Sequence, residues 1–492
     1  MPRKKAPPLS TGALAFIVST NMEKPDMQMR KFIRSHVMVG KNVGRTLPDR
    51  RKKKALPENA PKFSHNSSGS FMNTPDEAEE CLSSASLRFG NCLSTLGPAD
   101  PSTDYHELNP VLRFSAIAKN LLFVLEPCIF FERRAEEWIS PLTTDPVYMH
   151  CLIFTSQYYF DALSIGRFGN NVPVNRQTVP HFFKALSLLQ NRLSDKSNQM
   201  IVANSTAAAI MGLSAYALII DDVNFARKHV EALCRIVRMR GGTASFKGSE
   251  KLLLEILRND LGLALAKGTS PMFLKIMSPE EALLQFPDLK SFLEPRNLPV
   301  AATNFVYLKD VEHKLIQAWT VLANFCTLIN FAADTEQKIS THTFLHVMTS
   351  VMYQLLAMQS CFGAHNELVR LGLIVFSSSI FLQWKTIGLR YEQLTKTFLK
   401  HMKLVSNIEM SPRLILWMVM IGAISLLDQG HDHWVRPLFL MNMRLCGVQT
   451  WQDVRSVMTE FLWISFVHDQ PAKSVYERIA GQVCRREQNL YN

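Results

Sequence analysis

The sequence predicts an all-α protein, an irregular array of antiparallel helix pairs that follows a disordered basic N-terminal region. Three observations favour this fold class. Apolar residues recur in steps of three and four, the helical period, over most of residues 108–487, and no run alternates in the manner of a strand. Capping residues directly before prolines mark repeated helix starts. The predicted helices are about 15 to 20 residues long with short connections, which favours antiparallel pairs, and no fixed repeat period is present.

The first 54 residues form a basic N-terminal arm. They hold 14 Lys or Arg and 3 Asp or Glu, so nearly all of the chain's net charge of +12 lies here and the remaining residues are close to neutral. Its densest cluster is Arg50, Arg51, Lys52, Lys53 and Lys54. We interpret this cluster as a candidate nuclear-import signal or phosphate contact, because neighbouring cations can meet an acidic groove or a DNA backbone together. A solvated tail is the alternative.

Residues 55–107 have the composition of a disordered linker.

The helical body is predicted to span residues 108–487. Its clearest helix starts are four capping residues that directly precede a proline, namely Asn109-Pro110, Asp145-Pro146, Ser278-Pro279 and Ser411-Pro412. Glu281 would complete a capping box after Ser278. A proline-rich stretch between residues 286 and 304 predicts a junction between two halves, 108–286 and 305–487. The last two predicted helices cover residues 451–467 and 472–487.

Cysteine usage and apolar runs predict an intracellular protein without a membrane span. The nine cysteines include no CxxC pair and are odd in number, which fits reduced, mostly buried thiols. The basic N-terminus lacks the apolar run and cleavage site of a secretory signal. The longest apolar runs, residues 207–220 and 414–427, are shorter than the roughly 20 residues that span a bilayer, so we interpret them as buried helices.

Two candidate metal sites can be tested by spacing. Asp221 and Asp222 lack a third acid, since Phe225 stands where it would be, and Asp222 is better explained as a helix cap. His342 and His346 are four residues apart, as in HExxH zinc proteases, but the catalytic Glu is missing. We therefore expect both pairs to be structural.

His431 and His433 form a turn-like cluster that we also interpret as structural.

The common motifs of catalysis are absent from the sequence. There is no GxSxG, no phosphate-binding GxxxxGK and no dinucleotide fingerprint. We predict no catalytic residue, no metal and no cofactor, although an aromatic pocket for a small effector between helices stays open.

The stretch HVEALCRIVRMRGG, residues 229–242, is predicted to end an amphipathic helix that begins near residue 223. Val223, Ala226, Val230, Leu233 and Val237 make one apolar stripe at helical spacing. Arg240 is expected beside the last unpaired carbonyls, where a cation is favoured. Gly241 or Gly242 is expected to take the left-handed turn that closes the helix.

This stretch and the segments after it resemble the fungal-specific transcription factor domain, the regulatory region found beyond a zinc binuclear cluster. The pattern H-x3-L-x3-V-x2-RGG is carried by His229, Leu233, Val237, Arg240, Gly241 and Gly242. LRNDLGLA supplies Leu257, Arg258, Asp260 and Ala264, and SPMF supplies Pro271 and Phe273. The N-terminal stretch also resembles the start of many ascomycete members, at Phe16, Arg34, Ser35, His36, Val37 and Met38.

The resemblance implies a nuclear transcriptional regulator that acts through its helical domain, with a secondary-metabolism or nutrient-use gene set as its target. The partners it implies are the transcription machinery or other regulators, and a homo- or heterodimer. The motif residues are expected to play structural roles.

The sequence departs from the family in its DNA-reading module. That module needs six closely spaced cysteines, and no cysteine precedes Cys81, so this chain cannot build it. DNA contact, if it occurs, is expected through the basic arm. Two alternatives stay open, a zinc-free helical scaffold or co-regulator without DNA contact and an unrecognised α-helical enzyme.

Overall fold

Helices make up most of the chain that the structure describes. This computed structural model describes residues 97–480, except 123, 132–137, 166–171, 173–174, 196, 279, 301–304, 309, 359–362, 384–390 and 406–407. The basic arm 1–54, including Arg50 to Lys54, and most of the linker 55–107 lie outside the described residues. The predictions made for them stay predictions.

The described residues form fifteen α-helices. Those before the proline-rich stretch are α1 Asn109–Leu122, α2 Pro146–Ile165, α3 Val179–Ser194, α4 Asn204–Ile219, α5 Val223–Met239 and α6 Glu250–Lys267. Those within or after it are α7 Lys290–Leu293, α8 His313–Thr335, α9 Thr341–Ala357, α10 Ala364–Phe381, α11 Glu392–Met402, α12 Pro412–Ser425, α13 Asp432–Cys446, α14 Trp451–Thr459 and α15 Ser465–Ile479.

Within the described ranges, short 3-10 segments and one two-residue strand pair connect the helices. The 3-10 segments are Tyr105–Leu108, Glu126–Cys128, Ser140–Thr143, Gln199–Val202, Thr243–Phe246, Phe273–Lys275, Ala282–Leu284, Glu294–Arg296, Phe305–Leu308 and Gln429–His431. The strands β1 Ile129–Phe130 and β2 Ile339–Ser340 pair in parallel. The all-α prediction is therefore confirmed, with this single bridge as a minor addition.

Neighbouring helices pack in pairs, as the short connections predict. α4 and α5 are separated only by residues 220–222 and pack along each other, so they run antiparallel, and α2 with α3 and α12 with α13 form similar pairs. Within each pair, one helix covers the apolar face that the other helix cannot bury alone. The apolar stretches at α4 and α12 are buried inside the protein, as expected.

α6 occupies the centre of this array. Every residue from Leu252 to Leu265 is buried. The helix packs against α4 and α5 on the N-terminal side of the chain and against α9 and α11 on the C-terminal side. Residues from both predicted halves therefore contribute to one hydrophobic core.

The proline-preceded helix starts have different outcomes. Asp145 caps α2, since its Oδ1 accepts the amide N–H of Val147 at 2.9 Å, and α12 begins at Pro412. Before α1 the chain is already helical from Tyr105, because Asp104 forms a capping box there. These three regions begin helices as the sequence predicts, with the first start shifted by one 3-10 turn.

The helix predicted after Ser278 is wrong. The Ser278 hydroxyl bonds the Glu280 carboxylate in place of a capping box with Glu281, and only the 3-10 segment Ala282–Leu284 forms. Pro287 follows within a few residues and disfavours helical backbone at the residue before it, so the stretch is too short to continue as an α-helix.

The predicted boundary between the last two helices is also wrong. α14 ends at Thr459 and α15 already begins at Ser465. Asn330 of α8 fixes the turn between them, because its Oδ1 accepts the Ser465 amide N–H at 3.0 Å and its Nδ2 donates to the Trp463 carbonyl at 3.0 Å. This contact joins residues more than a hundred positions apart and leaves no local sequence signal.

Among the helices that the structure describes, one, α8, is long and apolar enough to cross a membrane by length and composition alone. Most of it is buried within the protein, and Leu315, Leu322 and Ile329 on it belong to the hydrophobic core. A core helix passes the same composition test, so α8 is accounted for by its packing in the core.

Candidate functional site

The helix α5 ends as its sequence predicts. Asp222 accepts the Phe225 amide N–H at 2.9 Å and caps its start. At its end the Gly242 amide donates to the Val237 carbonyl at 2.9 Å and the Gly241 amide to the Arg238 carbonyl at 3.0 Å, the two bonds of a Schellman motif. Gly241 has φ 92° and Gly242 φ 99°, a region that side chains with a Cβ rarely adopt. Both glycines therefore have a structural role.

Arg240 does not lie where the sequence predicted. Its guanidinium stacks over the Phe246 ring, 3.8 Å from the ring centre, and its Nη1 donates to the Asn204 Oδ1 at 2.7 Å. The side chain thus turns away from the carbonyls of its own helix, because an aromatic face and an amide oxygen offer it partners on neighbouring segments. Arg240 ties the end of α5 to the start of α4.

The other motif residues of α5 face the core. Leu233 and Val237 are buried. His229 is buried edge-on against Phe225, with ring centres 4.3 Å apart, and its Nε2 has no hydrogen-bond partner among the described residues. Burial lowers the pKa of His229 to about 4, so its ring is neutral near pH 7. These residues serve packing and not proton transfer.

Asp260 on α6 holds the segment that carries the SPMF motif. Its Oδ1 accepts the Met272 amide N–H at 2.7 Å, and its Oδ2 accepts the Phe273 amide N–H at 3.0 Å and the Tyr353 hydroxyl at 2.9 Å. Pro271 and Phe273 are buried beside it. Burial raises the pKa of Asp260 to about 6, because these bonds to the charged form only partly offset the loss of solvation.

The three motif segments therefore meet in one place, which we call the motif hub. It comprises α5, the middle of α6 and residues 271–273. α5 packs against α6, and Asp260 bonds the third segment to α6 and, through Tyr353, to α9. A small cavity of about 210 Å³ lies at the hub, with Arg227, Lys267 and Lys275 among its lining residues.

A larger cavity opens on the other side of α6, and we call it the α6–α11 groove. Its volume is about 370 Å³. It is lined by Ala264, Leu265 and Gly268 of α6, Leu356 of α9, Glu367, Arg370, Leu371 and Ile374 of α10, and Gln393, Leu394, Thr397 and His401 of α11. The groove thus shares the wall at Ala264 with the smaller cavity.

A buried ion pair forms part of this wall. Arg370 Nε donates to Glu367 Oε2 at 2.7 Å and Nη2 to Oε1 at 2.6 Å, which makes a bidentate pair. Its Nη1 donates to the Leu355 carbonyl in the last turn of α9 at 2.9 Å. The pair joins α10 to α9 and leaves the wall without net charge.

Three of the candidate metal-binding histidines bond structural partners, and the His342 ring centre lies 6.0 Å from that of His346. His346 Nε2 donates to the Gln285 carbonyl, His431 bonds Asp428 and His433 bonds the Gly430 carbonyl. Within the described part of the chain no group of three or more His, Cys, Asp or Glu side chains could hold a metal ion. Asp222 serves as the cap described above.

The described cysteines are free thiols in unreactive surroundings. Cys128, Cys151, Cys234 and Cys326 are buried and Cys446 is half-buried. Burial raises the pKa of Cys128 to about 11 and that of Cys151 to about 12, so neither is a thiolate near neutral pH. A nucleophilic role for these two thiols has no support in their surroundings.

One polar cluster that the sequence does not predict joins residues 100–107 to α2 and α3. His150 Nδ1 and His181 Nδ1 lie 2.7 Å apart, and both rings are buried. The outer nitrogens face carboxylates, His150 Nε2 at 3.1 Å from Asp100 Oδ2 and His181 Nε2 at 3.4 Å from Glu107 Oε1. Hydrogen bonds from Ser102, with a smaller contribution from His150, hold the pKa of Asp100 well below its usual range. The predicted linker gave no hint of these partners.

The chain matches no family model, no curated protein and no solved structure. The family resemblance accordingly remains an expectation from the motif residues.

Proposed function

We propose that this chain is a nuclear transcriptional regulator of fungal type whose helical body is the regulatory domain. The observation that carries the proposal is the motif hub. Three stretches resemble the family, 229–242, 257–264 and 271–273; α5, which contains most of the first, packs on α6, and Asp260 of α6 bonds the third. Asp260, which is one of the motif residues, therefore joins two of these stretches directly.

The division of charge supports separate roles for the arm and the body. The first 54 residues carry a net charge of +11, since they hold 14 cationic and 3 acidic side chains, and the rest of the chain is almost neutral. Long-range attraction to a polyanion is therefore a property of the arm. The body would contact the transcription machinery, other regulators or a second copy of the chain, and its target genes would be a secondary-metabolism or nutrient-use set.

Localisation tests the nuclear role. The full chain and a variant with Arg50, Arg51, Lys52, Lys53 and Lys54 replaced by alanine are compared in fungal cells as fluorescent fusions. We expect the full chain in the nucleus and the variant excluded from it, because the cluster would be read by the import machinery. A full chain that is already cytoplasmic contradicts the proposal.

A salt titration of DNA binding tests direct contact. Full-length protein and a chain lacking residues 1–54 are titrated with a fluorescent duplex at several salt concentrations. We expect only the full chain to bind, with a slope in log–log form that grows by about 0.9 for each phosphate neutralised. Failure of both to bind would favour the zinc-free scaffold or co-regulator.

The enzyme alternative has the least support among the described residues. The shifted pKa values belong to groups such as Asp260, His229 and Cys151 that are buried in structural contacts. None of these groups is paired with a base or nucleophile in an open pocket of the described region. An enzymatic function would require a substrate that binds in the α6–α11 groove next to a reactive group.

A further inference from the structure

We propose that the α6–α11 groove binds a small, electrically neutral molecule with an apolar body and a polar end that both accepts and donates hydrogen bonds. The inference concerns the helical body alone and does not rest on the regulator function. Binding of a dye in the groove and binding of DNA by the arm are measured separately, so one can fail without the other.

The walls of the groove are suited to an apolar body. Leu265, Leu356, Leu371, Ile374 and Leu394 come from four different helices and face one cavity. Its volume of about 370 Å³ lies at the lower end of the roughly 300–1,000 Å³ of small-molecule sites. Such sites commonly lie between packed helices, and their walls are mostly apolar with a few polar groups.

The charges on the wall favour a neutral ligand. Both carboxylate oxygens of Glu367 are bonded by Arg370, and the Arg370 side chain is only 6% exposed. A charged ligand would either break this pair or bring an unbalanced charge into a half-buried cavity, and both are unfavourable. Arg370 uses three of its five N–H groups in the bonds described, so it retains donors for a neutral acceptor.

Polar side chains line the groove along one face of α11, and the Thr397 hydroxyl already donates to the Gln393 carbonyl at 2.8 Å. Gln393, Thr397 and His401 follow each other at steps of four residues. His401 Nδ1 donates to the Thr397 carbonyl at 2.9 Å, so Nε2 is an acceptor when the ring is neutral, and the Gln393 side-chain amide is exposed at the rim. A carbonyl on the ligand can accept from Gln393 or Arg370, and a hydroxyl or N–H can donate to His401.

The rim of the groove is already formed by close packing. Gly268 ends α6 with φ 66°, and a Cβ at this position would lie 2.6 Å from the Gln393 Cγ. The Gln393 stem therefore rests directly on the end of α6, and a side chain at position 268 would have to displace it. A site whose polar groups are held by packing needs less ordering when a ligand binds.

Fluorescence titration of the full-length protein tests the proposal with two dyes. The probes are prodan, a neutral naphthyl ketone, and ANS, an anionic naphthalene sulfonate. Thr397→Trp places a large ring in the groove from α11. Lys396→Trp is the matched control, since Lys396 is 71% exposed on the same helix, does not line the groove and makes only a surface ion pair. Thermal melts of each variant report whether the fold is retained.

We expect saturable, blue-shifted prodan binding that Thr397→Trp weakens at least about tenfold and Lys396→Trp changes by less than about twofold. Gln393→Leu, at an exposed rim position, is expected to weaken prodan binding severalfold without lowering the melting temperature. The proposal is overturned if wild-type protein does not bind prodan, or if Thr397→Trp and Gln393→Leu both bind it as well as wild type does. Tighter binding of ANS than of prodan, lost in Thr397→Trp, would show a site for anions and overturn the neutral ligand class.

Discussion

Replacing Asp260 by asparagine tests the motif hub. The side chain accepts two backbone N–H groups and the Tyr353 hydroxyl, and its own exposure is 0%. The hydroxyl oxygen of a protonated carboxyl group can still accept an N–H, but an asparagine has one acceptor oxygen, so in either orientation its NH₂ opposes the amide of Met272 or of Phe273. An unpaired buried N–H costs about 1–3 kcal/mol, so we expect Asp260→Asn to lower the free energy of unfolding by this amount near pH 4.5.

The destabilisation caused by Asp260→Asn should become smaller as pH rises. Because the folded-state pKa of Asp260 is raised from 3.8 to about 6, the native state binds a proton more tightly than the unfolded chain does. That stabilisation is complete below the unfolded pKa and is lost as pH rises through the folded value. The advantage of wild type over Asp260→Asn should therefore be about 2 kcal/mol larger near pH 4.5 than near pH 7.5.

Urea unfolding followed by tryptophan fluorescence at both pH values measures this difference. Tyr353→Phe is the control, because it removes one hydrogen bond to Asp260 but keeps the carboxyl group. It should cost about 1 kcal/mol and retain the pH dependence. Wild type could instead exceed Asp260→Asn in stability by the same amount at both pH values, or by more near pH 7.5. Either result would contradict a raised folded-state pKa of Asp260.

Three further changes test other parts of the fold. Gly241→Val should lower stability by about 1 kcal/mol or more, because φ is 92° there, and an unchanged melting curve would remove the helix-end argument. Gly422→Ala would place a Cβ 2.6 Å from the Phe398 ring, so we expect a loss of about 1–3 kcal/mol that Phe398→Leu partly restores, measured by urea unfolding. His150→Phe removes one hydrogen-bond partner of Asp100 and of His181, so limited proteolysis should cut residues 97–107 faster; an unchanged cleavage rate would contradict this role.

Local features of the fold were predictable, and long-range ones were not. The cap at Asp222 and the glycine end of α5 follow from residues within one turn of the helix ends, so the sequence contains all that decides them. The boundary between α14 and α15 depends on Asn330, and nothing near residue 460 indicates that contact.

The same distinction applies to the candidate site. The resemblance marked Asp260, but its hydroxyl partner Tyr353 is 93 residues away, and only packing of α6 on α9 brings them together. The α6–α11 groove joins four helices whose order along the chain gives no sign of a shared cavity. Sequence periodicity indicates which face of a helix is buried but not which helix covers it.

The central position of α6 has a consequence for synthesis on the ribosome. α4 and α5 emerge before this helix, but α9 and α11, which cover its other faces, emerge only later. Until Met402 has left the exit tunnel, Leu252 to Leu265 have an apolar surface without its final cover. The nascent chain should therefore bind chaperones throughout that interval, and products truncated before α11 should aggregate and be degraded.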